Sequence, residues 1–100
     1  MLNLKTLQKE ILQSKVDKGF NATDVNLEFC YIYAQLGVAY EAFRKKKSNS
    51  GEELAEIAIF LLGLSEMLDI ELEDEILKKM VKNKKKACEK VNRAQIRVSE

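Results

Sequence analysis

The sequence predicts an all-α fold, a bundle of four helices in a single domain. Three observations predict it. There is no proline and there are only four glycines, so few turns are encoded. Apolar residues recur at helical spacing in four segments, and polar or glycine-containing breaks separate them. The chain of 100 residues is 46% apolar and 33% charged, the size and composition of one globular domain. The domain is read as the whole of 1–100, with a basic C-terminal extension from about 87.

The first helix is predicted from about Asn3 to Lys18. Leu4, Leu7, Ile11, Leu12 and Val16 give it an apolar face, and Gly19 ends it. The second begins near the capping residues Asn21, Thr23 and Asp24 and runs to about Lys46. From Phe29 to Tyr40 it carries no formal charge, so it needs cover on most sides. The linker Lys47-Ser48-Asn49-Ser50-Gly51 is polar. Ser50 with Glu53 matches a capping box and opens the third helix, which runs to about Leu68. Ile57 to Leu64 is apolar all round. A turn at Asp69-Ile70-Glu71 leads to the fourth helix, from about Leu72 into the nineties. Leu72, Ile76, Met80, Ala87 and Val91 form its narrow apolar stripe. Two apolar central helices flanked by two amphipathic ones predict a bundle that self-associates through its centre.

Charge excludes some functions. The net charge is +1, so no global field selects nucleic acid or a membrane. The distribution is uneven: Glu66 to Glu75 holds six acids and no base, and Lys78 to Lys90 holds seven bases and one acid. The basic run lacks interleaved aromatics, which argues against nucleic acid as a partner. No apolar run approaches the roughly 20 residues that span a bilayer. Met1-Leu2-Asn3-Leu4 leads straight into an amphipathic pattern, and no signal peptide is read there. Cys30 and Cys88 lie far apart without metal-type spacing. They are read as buried packing residues in a protein of the reducing cytoplasm.

There is no histidine, which removes imidazole catalysis and ligation. There is no glycine-rich phosphate loop either. What remains is carboxylate chemistry. Glu53 and Glu56 are three residues apart, and Glu52 and Glu56 four, so their side chains share a helix face. Such a pair can hold magnesium, which prefers oxygen ligands and commonly takes one or two carboxylates plus substrate phosphates. Acids in a first helical turn also complement the helix dipole, and Glu53 fits the cap. Spacing alone leaves both readings open.

The surrounding sequence adds a resemblance. Glu52-Glu53-Leu54-Ala55-Glu56-Ile57-Ala58 resembles the E-E-L-A-D-V-A segment of MazG-like nucleotide pyrophosphohydrolases. Leu61-Leu62-Gly63-Leu64 through Leu68-Asp69-Ile70-Glu71-Leu72 is similar to that family's helix end and turn. Lys79-Met80-Val81-Lys82-Asn83 resembles its fourth-helix K-M-x-x-N motif. Lys18-Gly19-Phe20-Asn21, Glu28-Phe29-Cys30 and Tyr40-Glu41-Ala42-Phe43-Arg44-Lys45 are also similar, so the resemblance spans roughly 3–86. It implies an all-α bundle forming dimers or tetramers. It also implies magnesium-dependent cleavage of nucleoside triphosphates between the α and β phosphates.

In that family an E-E-x-x-E segment on the second helix completes the metal site. Here the segment reads Ala34-Gln35-Leu36-Gly37-Val38, so Ala34, Gln35 and Val38 stand where glutamates are expected. The resemblance then implies metal binding by Glu53 and Glu56 with support from Gln35 and Glu41. It implies phosphate contacts from Lys79, Lys82, Asn83 and Lys86, against which stands a solvated face complementing the helix dipole. Phe20 and Asn21 are candidates for a base pocket or for plain packing. Three functions follow: an active Mg2+-dependent pyrophosphohydrolase with a reduced site, an inactive nucleotide-binding relative, and a purely structural helical oligomer.

Overall fold

Local chemistry explains where each helix starts. The computed structural model describes residues 2–99 of the chain, with side chains as far as Val91. It contains four helices, α1 (Leu4–Asp17), α2 (Val25–Arg44), α3 (Ser50–Met67) and α4 (Leu72–Ser99), and no strand among the described residues. The Asn3 side chain caps α1 by accepting from the Lys5 and Thr6 amides at 2.9 and 3.2 Å. Asp24 caps α2 by accepting from the Leu27 amide at 3.1 Å, and Asn21 brackets Asp24 by bonding both its N–H and its carbonyl.

The start of α3 corrects one expectation. The cap position is Asn49, not Ser50, and no side chain caps the helix there. The Ser50 hydroxyl faces the Lys47 carbonyl instead. Glu53 does not reach back to close a capping box, because its carboxylate is drawn across to α2.

Helix ends share one device. At α1 the Phe20 amide donates to the Lys15 carbonyl and Gly19 takes φ 72°. This is the Schellman turn, in which a left-handed residue lets two amides fold back on the last turn. The same pair of bonds closes α2 with Lys46 at φ 55° and α3 with Asp69 at φ 56°. Only α1 uses the residue that adopts this conformation without strain.

α3 packs against both α1 and α2, and α4 packs against α1. The centre is therefore the C-terminal half of α3, where Leu62, Gly63, Leu64 and Ser65 are all buried. Gly63 is the point of closest approach, since a Cβ there would lie 3.2 Å from the Ile11 side chain. The expectation that α2 is equally covered is not met. Ile32, Ala39 and Ala42 are buried, while Phe29, Tyr33, Leu36, Tyr40 and Phe43 are exposed. Cys30 and Cys88 are likewise exposed rather than buried, because the core-facing register of α2 skips Cys30 and the α4 segment holding Cys88 has no helix over it.

A polar clamp fixes the start of α4. The buried Gln8 donates to the Ile70 carbonyl and the Glu66 carboxylate at 2.8 and 3.1 Å, and accepts from the Leu72 amide at 2.9 Å. Lys5 lies 3.4 Å from both Glu71 and Asp74, and its pKa is raised, most by the hydrogen bond to Asp74. Beyond Asp74 every described α4 side chain is exposed. A helix of 28 residues is about 42 Å long, so α4 runs past the body. The radius of gyration is accordingly 18.4 Å, where a compact chain of this length has about 13 Å. The predicted basic extension from about 87 continues α4, and its side chains beyond Val91 lie outside the described residues.

The three helix ends yield opposite outcomes. Gly19→Ala places a Cβ at positive φ and is expected to lower stability by about 1 kcal/mol. Lys46→Gly relieves the same strain and is expected to raise it by about 0.5 kcal/mol, net of the greater freedom of the unfolded chain. Urea unfolding of both variants beside the parent measures the two shifts. Shifts of the same sign would contradict the assignment.

Candidate functional site

Three helices converge on one buried ion pair. Lys15 comes from the last turn of α1, and Glu28 from the first turn of α2. Their side chains pair, with Glu28 fully buried. The Asn21 amide adds a bond to the second Glu28 oxygen at 3.0 Å. From α3, Phe60 lies with its ring centroid 5.9 Å from the Lys15 ammonium, and Tyr31 of α2 packs on it at 6.1 Å and 42°. Burial lowers the Lys15 pKa.

Grooves open on either side of this pair. One, of about 480 Å³, runs between α1 and α3 and includes Ile11, Lys18, Phe20, Glu56 and Phe60. The other, of about 430 Å³, lies above Glu28 and includes Phe20, Asn21, Tyr31 and Phe60. The Schellman turn at Gly19 sets Phe20 between the two, where it is largely exposed. Asn21 has a structural duty, since its amide and carbonyl serve Asp24 and Glu28.

The candidate metal ligands are only partly brought together. Packing of α2 on α3 joins Gln35 and Glu53: the Gln35 amide donates to the Glu53 carboxylate at 2.8 Å and to its backbone carbonyl at 3.2 Å. Asn49 approaches the other Glu53 oxygen at 3.5 Å. Glu56 is exposed on the rim of the larger groove. Glu41 is engaged elsewhere, with Arg44 at 3.1 Å and Lys45 at 3.5 Å. Among the described residues no cluster of three histidine, cysteine or acidic side chains is disposed to hold a metal ion. Lys79, Lys82, Asn83 and Lys86 are exposed along the free part of α4. No described helix is long and apolar enough to cross a membrane.

The Gln35–Glu53 contact uses only the amide half of Gln35. Its carbonyl oxygen has no hydrogen bond among the described residues. Rotating the terminal amide by half a turn would present that oxygen beside the carboxylate, an arrangement that repels without a cation and suits a hard cation between them. As observed, the pair is one carboxylate bonded to an amide and does not amount to a carboxylate cage.

Lys15 and Glu28 were the residues hardest to find by motif. The available signal was register. Gln8, Ile11 and Lys15 share one face of α1, and Glu28, Ile32, Gln35, Ala39 and Ala42 share one face of α2. Polar residues on a packed face are bonded or they are costly.

No protein-family model matches the chain, and no curated protein or solved structure matches it significantly.

The buried pair makes a sharp stability prediction. Lys15→Met strands a buried carboxylate and is expected to cost about 3 kcal/mol, whereas Glu28→Gln, which strands the less buried ammonium, is expected to cost about 1–2 kcal/mol. The double variant is expected to be more stable than Lys15→Met alone. A double-mutant cycle by urea unfolding measures this, and additive losses would show that the two groups do not interact.

Proposed function

We propose that the chain is a MazG-like helical domain whose nucleotide pyrophosphohydrolase site is reduced to its third-helix half. Magnesium-dependent cleavage of an NTP or dNTP to the monophosphate and pyrophosphate is then kept in weakened form. One observation carries the reading: Gln35 of α2 meets Glu53 of α3 at 2.8 Å. The resemblance implies that acids on these two helices share a metal. In this chain the same meeting point joins one acid to one amide.

In this reading Glu53 and the Gln35 carbonyl hold magnesium with Glu56 nearby. Bound magnesium supplies charge neutralisation of the triphosphate and orientation of water. The chain's own contribution is positional. Phe20 offers an exposed ring for a base, and Lys79, Lys82, Asn83 and Lys86 offer ammonium and amide donors for phosphate. Those α4 residues are far along a free helix, so their use requires self-association into a dimer or tetramer. Fewer anionic ligands leave the developing charge less compensated and slow the reaction.

A second reading has its own support. Glu41 is committed to Arg44 and Lys45, and among the described residues no three acids converge. This favours an inactive nucleotide-binding or purely structural helical oligomer.

Restoration separates these readings. Val38 is half-exposed and Gln35 half-buried, so Gln35→Glu with Val38→Glu fits without steric conflict. Without magnesium the added carboxylate at position 35 meets Glu53 and should lower the melting temperature, and magnesium should recover it. Pyrophosphate release from a panel of triphosphates should rise at least tenfold over the parent, about 1.4 kcal/mol of transition-state stabilisation. Nucleotide binding without turnover in either protein would support the inactive relative. A melting temperature indifferent to magnesium, with no nucleotide binding, would leave the structural oligomer.

A further inference from the structure

We propose that the free part of α4 is a peripheral membrane helix, lying flat on a lipid surface that carries anionic headgroups. Gln8 and Lys5 hold only its first turn to α1. From Ile76 to Val91 every side chain is exposed, and this stretch of helix is about 24 Å long. With a turn of about 100° per residue, Ile76, Leu77, Met80, Val81, Ala87 and Val91 fall within one arc of about 140°. The five larger ones are 40–68% exposed. Six of the seven lysines from Lys78 to Lys90 fall on the remaining face. Seven lysines against Glu89 give the segment a net charge of +6. The overall charge of +1 conceals this, because the six acids from Glu66 to Glu75 offset it.

Charge and shape together identify the occupant. An anionic lipid surface takes both faces at once: the acyl boundary accepts the apolar side chains, and the headgroups accept the ammonium groups. The apolar arc is broader than the narrow seam by which one helix pairs with another. Lys84 decides against a protein groove. It falls in the middle of the apolar arc, and a groove closing over it would bury an unpaired ammonium. At a lipid surface its stem lies along the apolar boundary while the ammonium reaches the headgroups. A nucleic acid would take the lysines and leave the apolar arc in water. No aromatic residue lies between Ile76 and Val91 to stack on its bases. No described helix is long and apolar enough to cross a bilayer, so α4 lies in the surface and does not span it.

Lys79, Lys82 and Lys86 face triphosphate in the reading above, and lipid headgroups offer them the same phosphate chemistry. The membrane role is tested without nucleotide or magnesium, so the two fail separately. The full chain should float with vesicles of equal parts phosphatidylcholine and phosphatidylserine, and not with phosphatidylcholine alone. Lys85→Gln and Lys90→Gln should each weaken binding about fivefold, the effect of one charge near such a surface. Met80→Ser with Val81→Ser should weaken it at least tenfold. The chain has no tryptophan, so Met80→Trp and Lys82→Trp each place a single reporter, one on the apolar face and one on the basic face. Emission of Met80→Trp should move to shorter wavelength on the anionic vesicles, and that of Lys82→Trp should not. Circular dichroism checks that these exposed changes leave the helices intact.

No flotation with the anionic vesicles overturns the proposal. Equal flotation with phosphatidylcholine alone overturns the role of charge. Flotation without the Met80→Trp shift is adsorption by charge alone and overturns the embedded apolar face. A Met80→Trp emission already at short wavelength in buffer gives the stripe to a second copy and overturns the membrane as its occupant.

Discussion

The pairing of Lys15 with Glu28 is the constraint on which the rest of the structure depends. It ties the end of α1 to the start of α2, and Phe60 of α3 lies against the ammonium. A fully buried carboxylate without its partner would be costly, so separating α1 from α2 at this point is penalised. Gly63 makes that arrangement possible by letting α1 approach α3 beside Lys15, whose side chain lies 3.7 Å from where its Cβ would stand. The turn between α1 and α2 is drawn into the same point through Asn21. Four chain segments therefore meet at one charge pair.

The candidate site follows from this arrangement. Once α2 lies along α3 with Glu28 near Phe60, the residues two turns further on α2 face the first turns of α3. That sets Gln35 against Glu53. It also leaves Glu41 near the linker, where Arg44 and Lys45 compensate it. The grooves flanking Lys15 are a consequence too, because Phe20 is held over the pair by the Gly19 turn and not pressed into the core. α4 is outside this organisation. Gln8 fixes where it begins, and nothing described covers it beyond Asp74. An aromatic seam on one helix and an apolar stripe on another are what a single copy leaves open.

Much of the fold was legible in the sequence because helix periodicity, polar breaks and Gly19 are local signals. Asp24, one of three capping residues read for α2, caps it, α1 begins one residue after Asn3, and α4 begins at Leu72 as read. The capping box was not legible, since Ser50 and Glu53 fit two helix starts one residue apart and a tertiary contact to Gln35 decides between them. Cys30 was misread as buried because an apolar run alone does not say which side of α2 packs. The candidate acids were legible as a motif. Their separation was not, because it depends on how far Glu41 lies from the α2–α3 crossing. The pairing of Lys15 with Glu28 escaped, although Glu28 stood in a segment of the resemblance, because a charged residue on an apolar face reads as noise until its partner is in view.

The central functional claim is that Glu53 and Gln35 form what remains of a cation site. A titration of the labelled chain with Mn2+ in place of magnesium, followed by paramagnetic broadening in NMR spectra, tests it most directly. The Gln35 side-chain amide and the Glu53 backbone amide are expected to broaden first. Broadening that begins at the acids of Glu71 to Asp74, with Gln35 unaffected, would contradict it.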